Sequence, residues 1–567
     1  MPATALPRLA RAVPARRAFG SAPRWAVVVL AGAAALPLTP LASLVIIALG
    51  GGDAGLWRLA RSVLPVAFFE TALLLGGVAV LCGTIGVATA WLVTAHRFPG
   101  RDILAWLLPL PLAVPTYITA YVYVEVFDAA GPVQAALRAA MGWRSRADYW
   151  FPEIRSLPGC ILVMSVVLYP YVYAAARAMF ATQSASMVEV ARTLGAGRLE
   201  LFRTVALPLA RPALAIGLSL ALLEALNDIG AAEYLGVRTL TVSVYTTWLN
   251  RGSLAGAAEI ACFMLAIVIA LIWLEWRGRR DRRYTASTRR PRTTQPVPLT
   301  RGAGIAAAVA CAVPVLLGFV LPAGFLLKET LRRGLPAQLD AAFAEHLVTT
   351  VALALAATLA ALALAVVVVT ASRLARRAAT DAMTFAAGLG YAVPGTVLAL
   401  GLLAPLIAID NLLDALWRVF TGERLGLLLM GSGAAIVIAY TVRFLPIATG
   451  SLAAGLSRVS GSVEEAARSL GAKPRELVLR IQLPLIRPAL ASAALLVFVD
   501  CLKELPATLL LRPLNVETLS TLVYGHASRG SFEDGALAAL VIVLVGVFPV
   551  IRLTRSADLQ ARTEEGR

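Results

Sequence analysis

The chain has 567 residues, of which 59% are hydrophobic and 15% charged, and its mean hydropathy is +0.78. Soluble globular domains carry about a quarter charged residues, so this composition excludes a soluble globular protein and points to a polytopic membrane protein. The formal net charge of +18 does not argue for nucleic-acid binding, because the arginines stand in short segments between apolar runs, as the positive-inside rule expects of cytoplasmic loops.

Residues 1–24 carry five arginines and no acid, and the apolar run that follows from Trp25 is too long for a signal-peptide core of about 7–15 residues. A first span with a cytoplasmic N-terminus is expected there. Further spans are expected near 67–95, 103–126, 157–180, 212–234 and 255–276. The segment 277–302 is rich in Arg, Thr and Pro, has no apolar face to bury, and reads as a cytoplasmic linker. Six more spans follow near 303–327, 347–371, 383–408, 428–450, 489–511 and 533–554. Residues 555–567 then form a polar tail that an even number of crossings returns to the cytoplasm.

The units 25–276 and 303–554 are one repeat written twice. EVARTLGAGRLELFRTVALPLARPAL (189–214) and EAARSLGAKPRELVLRIQLPLIRPAL (465–490) share 15 of 26 positions without a gap. The same offset of 276 residues carries Pro170 to Pro446, Glu224 to Asp500 and Asp228 to Glu504. Both units begin and end on the same side, so the repeats are parallel, with an axis along the membrane normal and a pathway expected on it. The expected class is an all-α integral membrane protein of about 12 helices in two parallel six-helix repeats.

Each duplicated stretch lies between apolar runs and is itself amphipathic. In the second copy, Val463 to Leu470 reads as a short helix, Gly471 as the left-handed residue that stops it, and Pro474 as the first turn of another helix that ends at Leu483-Pro484. The first copy has Gly195 at the bend and Leu207-Pro208 at the exit. A helix-bend-helix of this kind makes a rigid knob for a cytoplasmic partner.

These residues carry a resemblance. Glu189, Ala191, Gly195, Val205, Leu207 and Pro208, and again Glu465, Ala467, Gly471, Ile481, Leu483 and Pro484, are similar to the EAA loop of ABC importer permeases; the first copy departs in having Val190 where alanine is preferred. Over nearly the whole chain, including 108–123, 225–252 and 502–524, the sequence resembles the fused two-domain permeases of ferric-iron importers. The resemblance implies the type I ABC importer permease fold in the inner membrane. It also implies two ABC ATPase subunits seated on the two loops, a periplasmic or extracellular substrate-binding protein, and ATP with Mg used by the partner ATPase alone. Fused permeases for thiamine or phosphonate share this frame and stay open as alternatives, and an ion-coupled secondary transporter is the alternative from another class.

Glu224 and Asp228 are spaced as one face of a helix in the fifth span, and Asp500 and Glu504 repeat the spacing in the eleventh. A carboxylate at mid-bilayer costs at least about 2.5–3.5 kcal/mol on insertion scales, so such groups face a cavity or a partner. Two readings follow. Four carboxylates on the axis would offer oxygen to a hard cation such as Fe³⁺; alternatively Lys503 neutralises them and Asn227 hydrogen-bonds across the halves as structural glue. No metal site is assigned. Tyr117, Tyr121 and Tyr123 are expected as interfacial belt and packing residues, and the five cysteines as small buried hydrophobes. The chain has no G-x-x-x-x-G-K-[ST] loop and no nucleophile-base set, so it is expected to be no enzyme and to bind no cofactor.

Overall fold

Apolar runs leave the backbone of a spanning segment no water to bond, and the chain answers with helix nearly throughout. The computed structural model describes residues 24–50, 61–182, 197–280, 296–334, 339–375, 378–457, 459, 461–471 and 476–565. Among them, ten helices are long and apolar enough to cross a membrane, and two bent pairs raise the number to twelve. In the first half the spans are Arg24–Leu49, Leu64–Ala95, the pair Arg101–Ala113 and Thr116–Met141 bent by 95°, Leu157–Ala181, Phe202–Asn227 and Leu254–Glu275. In the second they are Arg301–Arg333, Ala341–Arg373, Gly395–Thr421, Ala434–Ser457, the pair Leu477–Leu485 and Arg487–Lys503 bent by 74°, and Phe532–Arg552. The last helix runs on through the expected tail to Glu565.

The duplication is visible in individual hydrogen bonds. Leu240 N–H donates to the Thr71 hydroxyl at 3.0 Å, and Leu519 N–H donates to the Thr350 hydroxyl at 2.9 Å. The Thr241 hydroxyl donates to the carbonyl of Leu226, and that of Ser520 to the carbonyl of Leu502. The halves therefore repeat backbone and buried polar contacts alike.

Each half lends its first span to the other. Arg24–Leu49 packs on Gly395–Thr421 so closely that a Cβ at Gly401 would lie 2.2 Å from the Pro40 carbonyl oxygen. In return, Arg301–Arg333 packs on the first half, placed by a two-residue parallel bridge of His96-Arg97 with Val297-Pro298. The Tyr123 hydroxyl donates to the Leu317 carbonyl at 3.0 Å. That carbonyl lies in the π-turn Leu316–Val320, where the partner five residues on would be Pro322, which has no N–H to give.

The same device corrects an expectation at the duplicated loops. Leu207-Pro208 and Leu483-Pro484 do not end their helices. Each proline follows a π-turn, Phe202–Ala206 or Leu477–Gln482, in which the residue before proline reaches the carbonyl five back. The wider turn moves aside the carbonyl that the proline ring would strike, so the helix continues. In the first copy the span runs unbroken from Phe202 to Asn227, whereas in the second it bends at Ile486.

Candidate translocation site

In the second copy of the duplicated loop a helix runs from Gly461 to Ser469, and Gly471 follows at φ +83°, a conformation that a Cβ disfavours. Ala467 is buried, while Leu470 and Leu479 are 88% and 50% exposed, an apolar surface at the loop that the described residues leave uncovered. Glu189, Ala191, Gly195 and Pro474 lie outside the described residues.

Between the halves a cavity of about 90 Å³ is lined by Glu224, Asn227 and Asp228 of the first half and by Asp500, Lys503 and Glu504 of the second. Leu168 and Tyr171 also line it, and they lie about 17–21 Å along a helix of roughly 39 Å, near mid-membrane. All five charged residues expected on the axis thus meet one cavity, but not as a single set of metal ligands. Among the described residues no three His, Cys, Asp or Glu side chains are grouped to hold a metal ion.

The expected spacing on one helical face is corrected by a break in each helix. Asp228 and Glu504 adopt extended backbone, with ψ of 114° and 122°, directly after Asn227 and Lys503. Each carboxylate then caps the short helix beyond the break. Asp228 accepts from Ala231 N–H at 2.8 Å and from the Thr116 hydroxyl. Glu504 accepts from Ala507 N–H at 3.0 Å, Thr508 N–H at 3.2 Å and the Thr508 hydroxyl at 3.0 Å. The first N–H groups of a helix lack intrahelical partners, and a buried carboxylate satisfies them.

The other polar groups are not symmetric. Asp500 pairs with Lys503 at 2.8 Å. Glu224 accepts from the Tyr391 hydroxyl at 2.8 Å, and Asn227 Oδ1 accepts from Gly395 N–H at 2.6 Å, both across the halves. A Cβ at Gly395 would lie 2.6 Å from Glu504 Oε1 and 2.9 Å from Arg443 Nη1, so a side chain there would have to displace one of these two charged ends. Arg443 is 4% exposed and donates through Nη1 to Asn227 Oδ1 at 3.3 Å and to the Val393 carbonyl at 3.4 Å. Sequence reasoning missed it, although a lone arginine inside the apolar run 434–456 was the signal; Val167 occupies its place in the first half. Tyr171 and Tyr391 were missed as well.

Tyr117, Tyr121 and Tyr123 are no interfacial belt, since all three are at most 4% exposed. They stand on a helix wrapped on every side by other spans, and Tyr117 lines the cavity. The described cysteines are free thiols, four buried and Cys262 half-buried.

Two exchanged six-helix repeats around a charged mid-membrane cavity define a membrane permease. The chain belongs to the family of binding-protein-dependent transport system inner membrane components, whose model matches residues 83–283 and 368–522, once in each half. It is a permease subunit of an ABC importer, a multi-pass inner-membrane component of a system that also comprises an ATPase and a substrate-binding protein. The Fe(3+)-transport system permease protein FbpB 2 of Haemophilus influenzae is 26% identical over 498 residues, covering 86% of this chain and 89% of that protein. The molybdenum transport system permease protein ModB of Escherichia coli is 29% identical over 35% of this chain and 86% of its own. The sulfate transport system permease protein CysT of Salmonella typhimurium is 29% identical over 42% of this chain and 84% of its own.

Proposed function

We propose that this permease imports ferric iron. The observation that carries the reading is the Fe(3+)-transport relative, which spans both halves, whereas the molybdenum and sulfate relatives match about one half each. The cavity supports it. Four carboxylates, Glu224, Asp228, Asp500 and Glu504, face two cations, Arg443 and Lys503, a balance that suits a cation better than an oxyanion such as molybdate or sulfate. Oxygen-rich surroundings suit a hard cation, and the lack of a closed ligand cage suits a conduit that must release its cargo.

In this mechanism a loaded periplasmic binding protein docks on the outer loops, and two ATPase subunits close on ATP and Mg beneath the loops 189–214 and 465–490. The two halves, each carrying the first span lent by the other, then rock about the cavity. Glu189, Ala191, Gly195, Leu207 and Pro208, with Glu465, Ala467, Gly471, Leu483 and Pro484, form the two coupling knobs. The face bearing them, both chain termini and the linker 277–302 are cytoplasmic, and the chain itself needs no cofactor.

Uptake by proteoliposomes carrying the assembled complex tests this. ATP-dependent accumulation of ferric iron with the loaded binding protein is expected. Accumulation of thiamine, also cationic, or of a phosphonate in its place overturns the cargo. Uptake that survives ATP depletion and collapses with the ion gradient overturns the importer class.

A further inference from the structure

Thr116 and Tyr117, at the cavity, begin the helix Thr116–Phe127. Tyr121 and Glu125 continue the same face, about 6 and 12 Å further from the coupling loops. The rings of Tyr117 and Tyr121 lie 5.8 Å apart. Tyr121 is 1% exposed, and its hydroxyl has no hydrogen-bond partner among the described residues. Beyond it, Glu125 is half-buried and within electrostatic reach of Glu533, Arg155, Asp128 and Glu329. Glu233 lies within electrostatic reach of Tyr121 and accepts from the Tyr524 hydroxyl at 2.7 Å. Oxygen-bearing side chains thus follow one another from the outer end to Asp228. The equivalent face of the second half carries Thr396, Leu400 and Ala404 and offers no such series.

Resting on the importer reading above for which face is outer, we propose that the cavity is reached from outside by one route, along the Tyr117–Tyr121–Glu125 face of the first half. The route is built for cations and is closed by Phe532 of the second half. Phe532 is fully buried, with its ring 5.3 Å from that of Tyr121, which also meets Tyr234 at 4.5 Å. The three rings fill the passage above Tyr117. Two of them belong to the first half and one to the second, so separating the halves unplugs the route without any change of rotamer. The Tyr524 hydroxyl, from the second half, holds the same seam through Glu233 and, at 3.3 Å, through the Tyr245 hydroxyl. At the mouth Arg155 lies 4.6 Å over the Tyr234 ring and 3.7 Å from Asp128, which leaves Glu125 as the first acid inside.

The test uses the assembled complex in proteoliposomes without ATP, with the native cysteines replaced and a reporter Leu168→Cys in the cavity wall. Cationic and anionic methanethiosulfonates of similar size are applied from the outer face. Labelling is expected to be slow with Phe532 in place and to rise by an order of magnitude in Phe532→Ala. Tyr121→Ala, which removes the other side of the same contact, should give the same rise, while Phe532→Leu, which fills the space, should stay slow. In the opened variant the cationic reagent should react several-fold faster than the anionic one, and Glu125→Gln should bring that ratio towards one. Leu400→Ala, the equivalent of Tyr121→Ala in the second half, should leave labelling slow. Opening by Leu400→Ala as large as that by Phe532→Ala, or a charge preference indifferent to Glu125→Gln, overturns the one-sided route. Labelling needs neither ATP nor iron, so it reads the route separately from the identity of the cargo.

Discussion

Glu504 is where capping and cargo contact can be told apart. Its carboxylate is 5% exposed and accepts two backbone N–H groups, of Ala507 and Thr508, and the Thr508 hydroxyl. In Glu504→Ala the hydroxyl keeps its bond to the Glu504 carbonyl at 3.0 Å, but both N–H groups lose their acceptor in a buried setting. A buried donor left unsatisfied costs about 1–3 kcal/mol, so with two such donors the variant should lose roughly 2–6 kcal/mol. Glu504→Gln keeps one acceptor oxygen and should lose about half as much. Helical circular dichroism of the purified chain in micelles, followed through thermal unfolding, should rank wild type above Gln above Ala. Transport in the assembled complex supplies the second axis. Glu504→Gln, with its cap half kept, should retain most transport, whereas Glu224→Gln, which caps nothing and faces the cavity, should lose most of it with little change in stability. An alanine variant as stable as wild type would refute the capping role, and equal transport losses in the two Gln variants would refute the division of labour.

Three further outcomes follow from the same geometry. Gly471→Val forces a β-branched residue to φ +83°, at a cost of at least about 1–2 kcal/mol, and should separate ATP hydrolysis from import; an unchanged import rate would show that the bend does not couple. Gly401→Val meets the backbone of Pro40, which cannot yield as a side chain would, and should destabilise by at least roughly 1–3 kcal/mol through displacement of the exchanged first span, read as a lowered unfolding midpoint. Asp148, in the outer loop, is held below the usual carboxylate range by the backbone N–H groups of Ser145 and Arg144. A depressed pKa means stabilisation that is complete above the ordinary Asp value near 4 and lost as pH falls through the folded value. Protease cleavage of the loop 142–156 should therefore rise on acidification in wild type and be high and pH-independent in Asp148→Asn.

Hydropathy located the apolar helices, because a segment in lipid must be apolar along its whole length and helical to satisfy its backbone, but the spans expected at 212–234, 383–408 and 489–511 are displaced by about ten residues, to Phe202–Asn227, Gly395–Thr421 and the bent pair ending at Lys503. The duplication was legible because the loops 189–214 and 465–490 keep their residues at a constant offset. What escaped was local. Periodicity placed Glu224 and Asp228 on one helical face, since it assumes the helix continues; the capping of Ala231 by Asp228 and of Ala507 by Glu504 is a tertiary choice that ends the helix first. Leu-Pro read as a stop at 207–208 and 483–484, because a sequence does not show that a π-turn has taken up the proline. Arg443 was visible as a lone intramembrane cation, yet duplication drew attention to positions that repeat, and Arg443 matches Val167. The exchange of first spans leaves no pattern in either partner beyond single close contacts such as Gly401 with Pro40.

The central claim is that this chain couples a partner ATPase to delivery of ferric iron. Its most direct test is ATPase activity of the chain reconstituted with its cognate ATPase and binding protein, the latter loaded in turn with Fe³⁺, thiamine or a phosphonate. Stimulation by the iron-loaded protein alone is the predicted result. Stimulation by another cargo would contradict iron while keeping the importer, and an ATPase that does not associate with the chain at all would contradict the coupling loops themselves.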